Sequence, residues 1–400
     1  MTTPPTGDQL ADLAITPAEH WPSYAQDEID AVVATLRSGK VNQWTGTRVR
    51  EFQTAYEQHV GVGQAIALAN GSLALELVLR AFDIGPGDEV IVTPRTFVAS
   101  AFCVMLVGAT PVFADVDPDS GNITAESIAD KITDRTVAVI PVHLAGWPAD
   151  MPGICAIARE HNLWVLEDCA QAHGALIDGA PVGSFGQAAA FSFCQDKIMT
   201  TGGEGGLALL RDEDAFNWAW SFKDHGKSRA KVFEPNPAPG FRWLHDSVGT
   251  NWRMLETSAV IGLAQLAKLE QWRAARAERA AIWAEALGGI DGLRVPTPDA
   301  DLTHAHYKFY AYVDRPDGEA EPLRDQILAE SSALGIRAFS GSCSEVYLEE
   351  AFRELSVDRL PVARRLGETS LMFEVHPTLD LDRLRARAVA VADVARRVLG

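Results

Sequence analysis

The sequence predicts an α/β protein built on a mostly parallel sheet that helices cover on both faces. Short apolar runs alternate with segments of helical periodicity from about residue 65 to residue 210, and glycine-rich or polar turns separate several of them. After about residue 290 the alternation gives way to a pattern typical of a smaller α+β domain. A chain of 400 residues also exceeds the usual size of one domain, so about two are expected.

The first predicted strand is followed by a turn whose residue types suit the binding of a phosphate. Before the sheet region begins, the elements expected are a helix over 24–38 that Gly39 ends and a second helix over 50–59. The apolar run 65–69 is then followed by Asn70-Gly71-Ser72 and a strongly helical segment, with Ser72 at or near the N-cap. Free N–H groups and a hydroxyl at a helix start suit a phosphate, although the same tripeptide also describes an ordinary capped turn.

The remaining pattern completes two domains. Further strands are predicted over 89–92, 110–113, 137–142, 164–166 and 188–193, with helices from about 96 and over 125–132 and 154–161. Residues 216–242 predict a long irregular excursion from the sheet that contains the loop 235–240. Residues 254–287 predict one long helix that bridges to the second domain. The second domain is expected to contain a strand over 307–313, a helix over 323–334, a strand near 336–339 and a closing helix over 384–399. The predicted division is an N-terminal arm 1–22, a large domain 23–260 and a linking helix with a small domain 261–400.

The composition argues against several classes of protein. A net charge of −19 disfavours non-specific binding to nucleic acid or to an anionic membrane surface. The five cysteines are scattered, without a C-x-x-C pair, so neither a disulfide framework nor a zinc site is expected, and a reducing cytoplasm is the simplest setting. Cys169 and Cys194 are interpreted as packing residues. The sequence has neither a signal peptide pattern nor an apolar run long enough for a membrane span.

The segment 164–206 carries the clearest chemical pattern. An apolar run delivers Glu167-Asp168 to the carboxyl end of a buried strand, and a second run contains Ser192 and is soon followed by Lys197. Ligands bind at that end of parallel strands. Pyridoxal 5′-phosphate (PLP) needs a lysine amine for its aldehyde and a carboxylate beside its ring nitrogen. The alternative for these two residues alone is a turn cap at Asp168 and a surface charge at Lys197.

The ordered motifs resemble the DegT/DnrJ/EryC1/StrS sugar aminotransferases. The matching stretches are ALANGSLALELVLRAFDIGPGDEVIVTPRTFVAS, GATPVFADVDPDSGNI, PVHLAGWPADM, VLEDCAQAHGA, GSFGQAAAFSF-x-x-x-K, GGEGG and NWRM, and they extend over about residues 22–287. The resemblance implies a PLP enzyme of fold type I, with a mostly parallel seven-stranded sheet between helices in the large domain. It also implies a homodimer with shared active sites.

The resemblance further implies roles for particular residues. Lys197 would be the Schiff-base lysine and proton carrier, and Asp168 would pair with the pyridine nitrogen. The implied cofactor-binding set is Gly71, Ser72, Phe97, Asp168, Gln171, Ser192, Lys197 and Asn251, with Phe97 stacked on the ring, Gln171 near the ring hydroxyl, and Asn251 reaching the neighbouring subunit. Arg253 is a further candidate for that reach, and His143 is either a site residue or a structural one. No metal is expected.

The implied activity is transfer of an amino group from L-glutamate to a keto-sugar on a nucleotide diphosphate. Lysine at position 197 favours transamination, because some relatives that act as dehydratases have histidine there. This chain departs from many relatives at Arg95, at Cys194-Gln195-Asp196 and in the C-terminal segments GSCSEVYLEE and FEVHP, which leaves the sugar open. Two alternatives stand: an aminotransferase for a cyclitol or aminohydroxybenzoate precursor with glutamine as amino donor, and a non-catalytic regulatory protein on the same fold.

Overall fold

The structure is a computed structural model that describes residues 13–235, 239–341 and 344–400. The first dozen residues of the predicted arm, part of the predicted loop 235–240, and Cys343 lie outside the described residues.

A seven-stranded sheet forms the centre of the larger part of the chain. Its strands follow the order β1-β9-β8-β5-β4-β2-β3, and β9 runs antiparallel to both of its neighbours while all other pairs are parallel. The strand bounds are β1 Gln64–Leu68, β2 Glu89–Val92, β3 Thr110–Phe113, β4 Thr136–Ile140, β5 Trp164–Asp168, β8 Ala188–Ser192 and β9 Gly206–Leu210. The predicted fold class, a mostly parallel seven-stranded sheet between helices, is confirmed.

Helices cover both faces of this sheet. Strand β8 illustrates the reason, because Ala188 and Ala190 belong to the core on one face, whereas Ala189 and Phe191 belong to the core on the other. The covering helices are α1 Gln26–Ser38, α2 Arg48–Val60, α3 Gly71–Ala81, α4 Ala99–Leu106, α5 Ala125–Ala129, α6 Met151–Glu160, α7 Glu213–Phe222, α8 Arg229–Val232 and α9 Glu256–Leu266. Gly39 ends α1 in the left-handed conformation, as predicted.

The C-terminal part has its own sheet and its own core. Four strands follow the order β10-β12-β14-β13, and three short strands form a separate sheet β11-β6-β7 that joins residues near 177 and 302. The bounds are β6 Leu176–Ile177, β7 Ala180–Pro181, β10 Leu293–Arg294, β11 Leu302–Thr303, β12 Phe309–Val313, β13 Ala338–Phe339 and β14 Ser370–Phe373, with helices α10 Leu269–Leu287, α11 Ala320–Ala333, α12 Pro361–Thr369 and α13 Leu381–Leu399. Helix α10 bridges the two parts, since Leu269 packs with the first and Trp283 with the second. The domain boundary at 260/261 stays a prediction.

Three sequence-based expectations were wrong in detail. The predicted excursion 216–242 contains most of α7 and all of α8. Helix α7 is amphipathic and is capped by Asp212, but its mixture of charged and aromatic residues obscures the helical pattern in the sequence. The predicted single helix 254–287 is two helices, α9 and α10, separated at residues 267–268. Strand β9, helix α12 and strand β14 were not predicted from the sequence pattern. Within the described parts of the chain, no helix is both long and apolar enough to cross a bilayer.

A buried ion pair joins the described N-terminal segment to the last helix. Both carboxylate oxygens of Glu19 accept hydrogen bonds from the guanidinium of Arg387, at 2.7 and 2.8 Å, and both side chains are almost fully buried. Burial opposes ionisation, but the Arg387 hydrogen bonds and those from Thr16 lower the pKa of Glu19 to about 2. The ion pair therefore holds residues 13–20 against α13.

We predict that Glu19→Gln destabilises the protein by about 3–5 kcal/mol near neutral pH, because it leaves Arg387 buried without its counter-charge. Since the folded-state pKa of Glu19 lies below its ordinary value, the wild-type advantage is complete above that ordinary value. It is lost as the pH falls toward about 2. Urea unfolding followed at several pH values measures both effects.

Glu350→Gln is the matched control for this experiment. Its carboxylate pairs with Arg353 on the surface, where both side chains are about three-quarters exposed, so a change near zero is expected. Equal unfolding midpoints for the two variants would contradict the assigned role of the Glu19–Arg387 pair.

Candidate active site

The carboxyl end of β5 delivers Asp168 to the middle of the sheet edge. Parallel pairing with β8 sets Asp168 opposite Ala190, and its backbone N–H donates to the Pro141 carbonyl at 2.8 Å on the other side. The strand is thus fixed from both neighbours at the point where it ends. This edge is where a parallel sheet binds its ligands, as the sequence predicted.

The Asp168 carboxylate is buried and held by two donors. Its Oδ2 accepts from the Ser100 hydroxyl at 2.7 Å and its Oδ1 from the Ala170 backbone N–H at 3.0 Å. Ser100 in turn lies 2.8 Å from the Thr96 hydroxyl. Burial raises the pKa of Asp168, and the Ser100 hydrogen bond offsets part of this rise. A cation placed against the carboxylate would stabilise its charged form.

Sequence reasoning did not identify Ser100 and Thr96 as part of the site. The available signal was their spacing of four residues at the start of a predicted helix, which places the two hydroxyls on one face. That signal is weak, because serine and threonine at helix starts are common for reasons of capping alone.

Lys197 lies in a tight turn that follows β8. Its backbone N–H donates to the Cys194 carbonyl at 3.1 Å, and its Nζ lies 4.9 Å from the centre of the Tyr307 ring and 3.9 Å from Asp196 Oδ1. The Tyr307 hydroxyl also donates to Asp196. Burial would raise the pKa of Asp196, but the charge of Lys197 and the Tyr307 hydrogen bond hold it below its ordinary value. The amine is therefore bracketed by an aromatic face and a carboxylate.

The start of helix α3 packs closely against the ends of β8 and β9, in a cradle formed by Asn70, Gly71, Ser192 and Gly206. Neither glycine of this cradle has space for a side chain. A Cβ at Gly71 would lie 2.6 Å from the Cβ of Ser192, and a Cβ at Gly206 would lie 2.1 Å from the Asn70 carbonyl oxygen. The N-cap is Asn70, whose Oδ1 accepts from the Leu73 N–H at 3.0 Å. Ser72, predicted at or near the cap, is the second helical residue, because the Asn70 amide caps the helix.

His173 positions Ser192 in this cradle. Its Nε2–H donates to the Ser192 carbonyl at 2.8 Å, and its Nδ1 accepts from the Tyr56 hydroxyl at 2.7 Å. Burial lowers the pKa of His173 to about 3, so it is neutral and its two nitrogens keep these separate roles. His173 was not identified from the sequence, although it lies in the VLEDCAQAHGA stretch.

Gln171 faces the neighbouring loop. It is buried, and its Oε1 accepts from the backbone N–H of Ala145 at 2.8 Å. Ala145 has a positive φ of 57°, a conformation that side-chain-bearing residues seldom adopt, and this hydrogen bond helps to hold it. The bond occupies the amide oxygen of Gln171, which leaves the Nε2 hydrogens for a ligand.

His143, Glu167 and Cys169 bring metal-ligand atoms within 4.8 Å of one another, but hydrogen bonds already use the His143 and Glu167 atoms. His143 Nδ1 accepts from a backbone N–H at 3.0 Å, and its Nε2–H donates to Glu167 at 3.2 Å. The Glu167 carboxylate also accepts from three backbone N–H groups, those of Gly183, Phe185 and Gly186. Burial raises the pKa of the Cys169 thiol well above its ordinary range. These contacts support a structural role for His143.

The remaining predicted residues, Phe97, Asn251 and Arg253, lie on loops next to the large sheet. Phe97 is 62% exposed near the end of the loop that joins β2 to α4. Residues 251–253 run beside the end of β1, where the Ala69 N–H donates to the Trp252 carbonyl at 3.0 Å. Asn251 is exposed, and Arg253 donates to Asp224 at 2.5 Å.

Comparison with known proteins identifies the family. The sequence profile of the DegT/DnrJ/EryC1/StrS aminotransferase family matches residues 22–391. The chain belongs to this family. Similar proteins include GDP-perosamine synthase of Caulobacter vibrioides, 39% identical over 85% of this chain and 89% of the relative. Another is 3-amino-5-hydroxybenzoate synthase of Amycolatopsis mediterranei, 35% identical over 94% and 97%. A solved aminotransferase from Psychrobacter cryohalolentis superposes with a TM-score of 0.91 at 51% identity, covering 95% and 99%.

Family membership makes this chain a PLP-dependent aminotransferase, which confirms the predicted enzyme class and cofactor. The residues present also fit the cofactor on structural grounds. A helix start closed by Gly71 and Ser192 suits a phosphate, a buried carboxylate at Asp168 suits a protonated ring nitrogen, and Lys197 provides a primary amine. When bound, PLP supplies an aldehyde that takes up amines and a ring that accepts electrons.

We predict that Gly71→Ala weakens PLP binding by about five- to 150-fold, the equivalent of about 1–3 kcal/mol of overpacking, because the new methyl group would push Ser192 out of the cradle. Titration of the purified apoprotein with PLP, followed by visible absorbance, measures the affinity.

Gly85→Ala serves as the control, since a Cβ there meets only the Val107 carbonyl oxygen at an ordinary 3.7 Å. Unchanged PLP affinity in Gly71→Ala, in a protein that melts at the wild-type temperature, would show that the phosphate is held elsewhere.

Proposed function

We propose that this aminotransferase transfers the amino group of L-glutamate to a keto-sugar carried on a nucleotide diphosphate. The observation that carries the proposal is the site itself, where the Lys197 turn, the buried Asp168 and the Gly71–Ser192 cradle meet at one sheet edge. Similarity to a GDP-perosamine synthase over 85% of the chain supports a nucleotide-linked sugar as the acceptor.

The proposed roles follow from chemistry at named atoms. Asp168, braced by Ser100, would hold a protonated ring nitrogen, because its own buried charge would be stabilised by that cation. Lys197 in its neutral form would carry the proton that leaves Cα of the amino donor. Phe97 would cover the ring, Gln171 would donate to its hydroxyl, and Gly71, Ser72 and Ser192 would hold the phosphate.

The acceptor pocket is proposed to lie where this chain departs from its relatives. Arg95 is 1% exposed and packs beside Gly121, one residue before Thr96 of the Asp168 network. Across from the large domain, Tyr310 and Tyr312 stack at 6.2 Å, and Gly341 lies against the Tyr310 ring. The segment that follows Gly341 includes residues 342 and 343, outside the described parts of the chain.

A second candidate function is an aminotransferase for a cyclitol or aminohydroxybenzoate precursor that uses glutamine. Similarity to a 3-amino-5-hydroxybenzoate synthase over 94% of the chain supports it. The third, a non-catalytic regulatory protein, is disfavoured by the site geometry, since a protein without turnover does not need an amine beside a buried carboxylate. A cytoplasmic location stays a prediction that rests on the scattered cysteines.

A two-stage assay distinguishes these functions. The first stage adds glutamate or glutamine to the PLP-loaded enzyme and follows loss of the visible band of the lysine-bound cofactor. We expect glutamate to convert it, and Lys197→Ala to show neither the band nor the conversion. The second stage supplies nucleotide-linked keto-sugars, free cyclitol ketones and the aminohydroxybenzoate precursor in turn. Recovery of the band only with an acceptor not linked to a nucleotide would refute the first function. No conversion by any amino donor would favour the regulatory protein.

We further propose a homodimer whose active sites are shared. Apolar residues of α1 are exposed in the single chain, with Ile29 at 45% and Leu36 at 57%, so the helix has an apolar side without a neighbour. Phe241, Trp243 and Val248, in the segment that precedes Asn251, are at least 78% exposed. Large apolar side chains exposed in groups of this kind support a subunit interface.

Co-expression of two inactive variants tests whether Asn251 serves the neighbouring subunit. If it does, a mixed dimer of Lys197→Ala and Asn251→Ala contains one complete site. Random pairing makes half of the dimers mixed, with one of two sites complete, so about one quarter of wild-type activity should return.

Lys197→Ala paired with Asp168→Ala is the control, because both residues belong to the same sheet edge and no mixed dimer has a complete site. Activity that stays at the control value would place the function of Asn251 within its own subunit.

A further inference from the structure

The N-terminal segment links the C-terminal part of the chain to the lysine turn. Leu13 packs in the C-terminal core, and Glu19 forms the buried ion pair with Arg387 of α13. Thr378 also donates from its hydroxyl to the backbone carbonyls of Glu19 and His20, at 3.2 and 3.1 Å. The residue that follows, Trp21, leaves this surface and reaches into the active site.

Trp21 makes a direct hydrogen bond to the backbone of the proposed catalytic lysine. Its indole Nε1–H donates to the Lys197 carbonyl oxygen at 2.8 Å, across 176 residues of sequence. Other contacts that hold this turn are the Lys197 N–H to the Cys194 carbonyl and the Tyr307 hydroxyl to Asp196. The indole is therefore placed to hold the main chain from which the Lys197 side chain departs.

Three side chains fix the indole ring. Trp272 packs edge-on at 5.1 Å between ring centres, His376 lies parallel at 6.2 Å, and the Arg276 guanidinium lies 5.1 Å from the ring centre. A tryptophan held on several sides has little freedom to turn its N–H away from an acceptor. The hydrogen bond is thus directed by packing and not by the indole alone.

Arg276 links the Trp21 indole to the segment that contains Tyr307. It is 1% exposed, and its Nη1 donates to the backbone carbonyls of His306 and Tyr307 at 3.4 and 3.3 Å. Tyr307 presents its ring to Lys197 Nζ at 4.9 Å. Arg276 therefore supports two of the groups that contact Lys197: the indole at its backbone and the phenol ring at its amine.

We propose that Trp21 is a positioning residue that fixes the Lys197 turn, and that Arg276 supports it. The proposal rests on the proposed role of Lys197. A lysine side chain has four rotatable bonds, so a shift of its main chain is carried to the amine, and a displacement of about 1 Å can cost about a hundredfold in rate. Because the same segment is tied to α13, the position of the C-terminal part is coupled to the lysine turn.

Trp21→Phe tests the hydrogen bond, because it keeps an aromatic ring between Trp272 and Arg276 but removes the N–H. In the full-length protein, amide hydrogen exchange over residues 194–200 should become about tenfold faster, as expected for the loss of one hydrogen bond. In the PLP-loaded enzyme, the rate of conversion by glutamate should fall by about tenfold or more, with the half-saturating glutamate concentration changed less than threefold. The pH midpoint of the visible band should also move.

Trp283→Phe is the matched control, since the Trp283 indole Nε1–H also donates to a backbone carbonyl, that of Glu374 at 3.3 Å, but does so in the C-terminal core. It should leave local exchange, the pH midpoint and the conversion rate unchanged. Equal effects of the two variants on local exchange and on the pH midpoint would overturn the proposal, because they would assign Trp21 to packing alone.

Exchange in the PLP-free protein separates this proposal from the proposed function. Faster local exchange in Trp21→Phe supports the anchor even if no visible band forms in wild type, a result that would instead refute Lys197 as the cofactor lysine. Should Trp21→Phe unfold, Arg276→Lys, which keeps a cation near the indole but loses the fork to the two carbonyls, replaces it. Unchanged exchange over 194–200 in this variant would then overturn the proposal.

Discussion

The site depends on a carboxylate that the fold buries at the end of a strand. Burial of Asp168 is unfavourable by itself, and the raised pKa of its carboxyl records that cost. The Ser100 hydroxyl and the Ala170 N–H offset part of it, and parallel strands on both sides prevent the end of β5 from moving toward water. A buried carboxylate of this kind would bind a ring cation more strongly than a solvent-exposed carboxylate would, because less water must be displaced from it.

Close backbone packing provides the second requirement, a helix start that an anion can approach. Strand β9 runs antiparallel to both β1 and β8, and this brings Gly206 against Asn70 and Ser192 against Gly71. Neither glycine has the space for a side chain. The two glycines therefore allow close contact between the strands and the helix. Their conformational freedom does not explain why glycine is needed here, since neither residue has a positive φ.

Much of the large domain could be predicted because its signals are local. Buried strands such as β5 and β8 are apolar runs with clear ends, and α3 follows a glycine turn. Prediction failed where local signals conflict. Helix α7 mixes acidic residues with tryptophans, so most of it falls within the long loop that the sequence predicts. The break between α9 and α10 has neither glycine nor proline to mark it. Short elements such as β13 gain their stability from neighbouring strands.

The sequence alone determined the family and the cofactor, since ordered motifs are local features, and it predicted Asp168 and Lys197 as site residues because each follows or ends a buried strand. Only the tertiary structure revealed what surrounds the pair. Ser100 reaches Asp168 across 68 residues, Tyr307 reaches Asp196 across 111, and Trp21 reaches Lys197 across 176. Such contacts leave no periodicity in the sequence, because packing between distant elements brings them together.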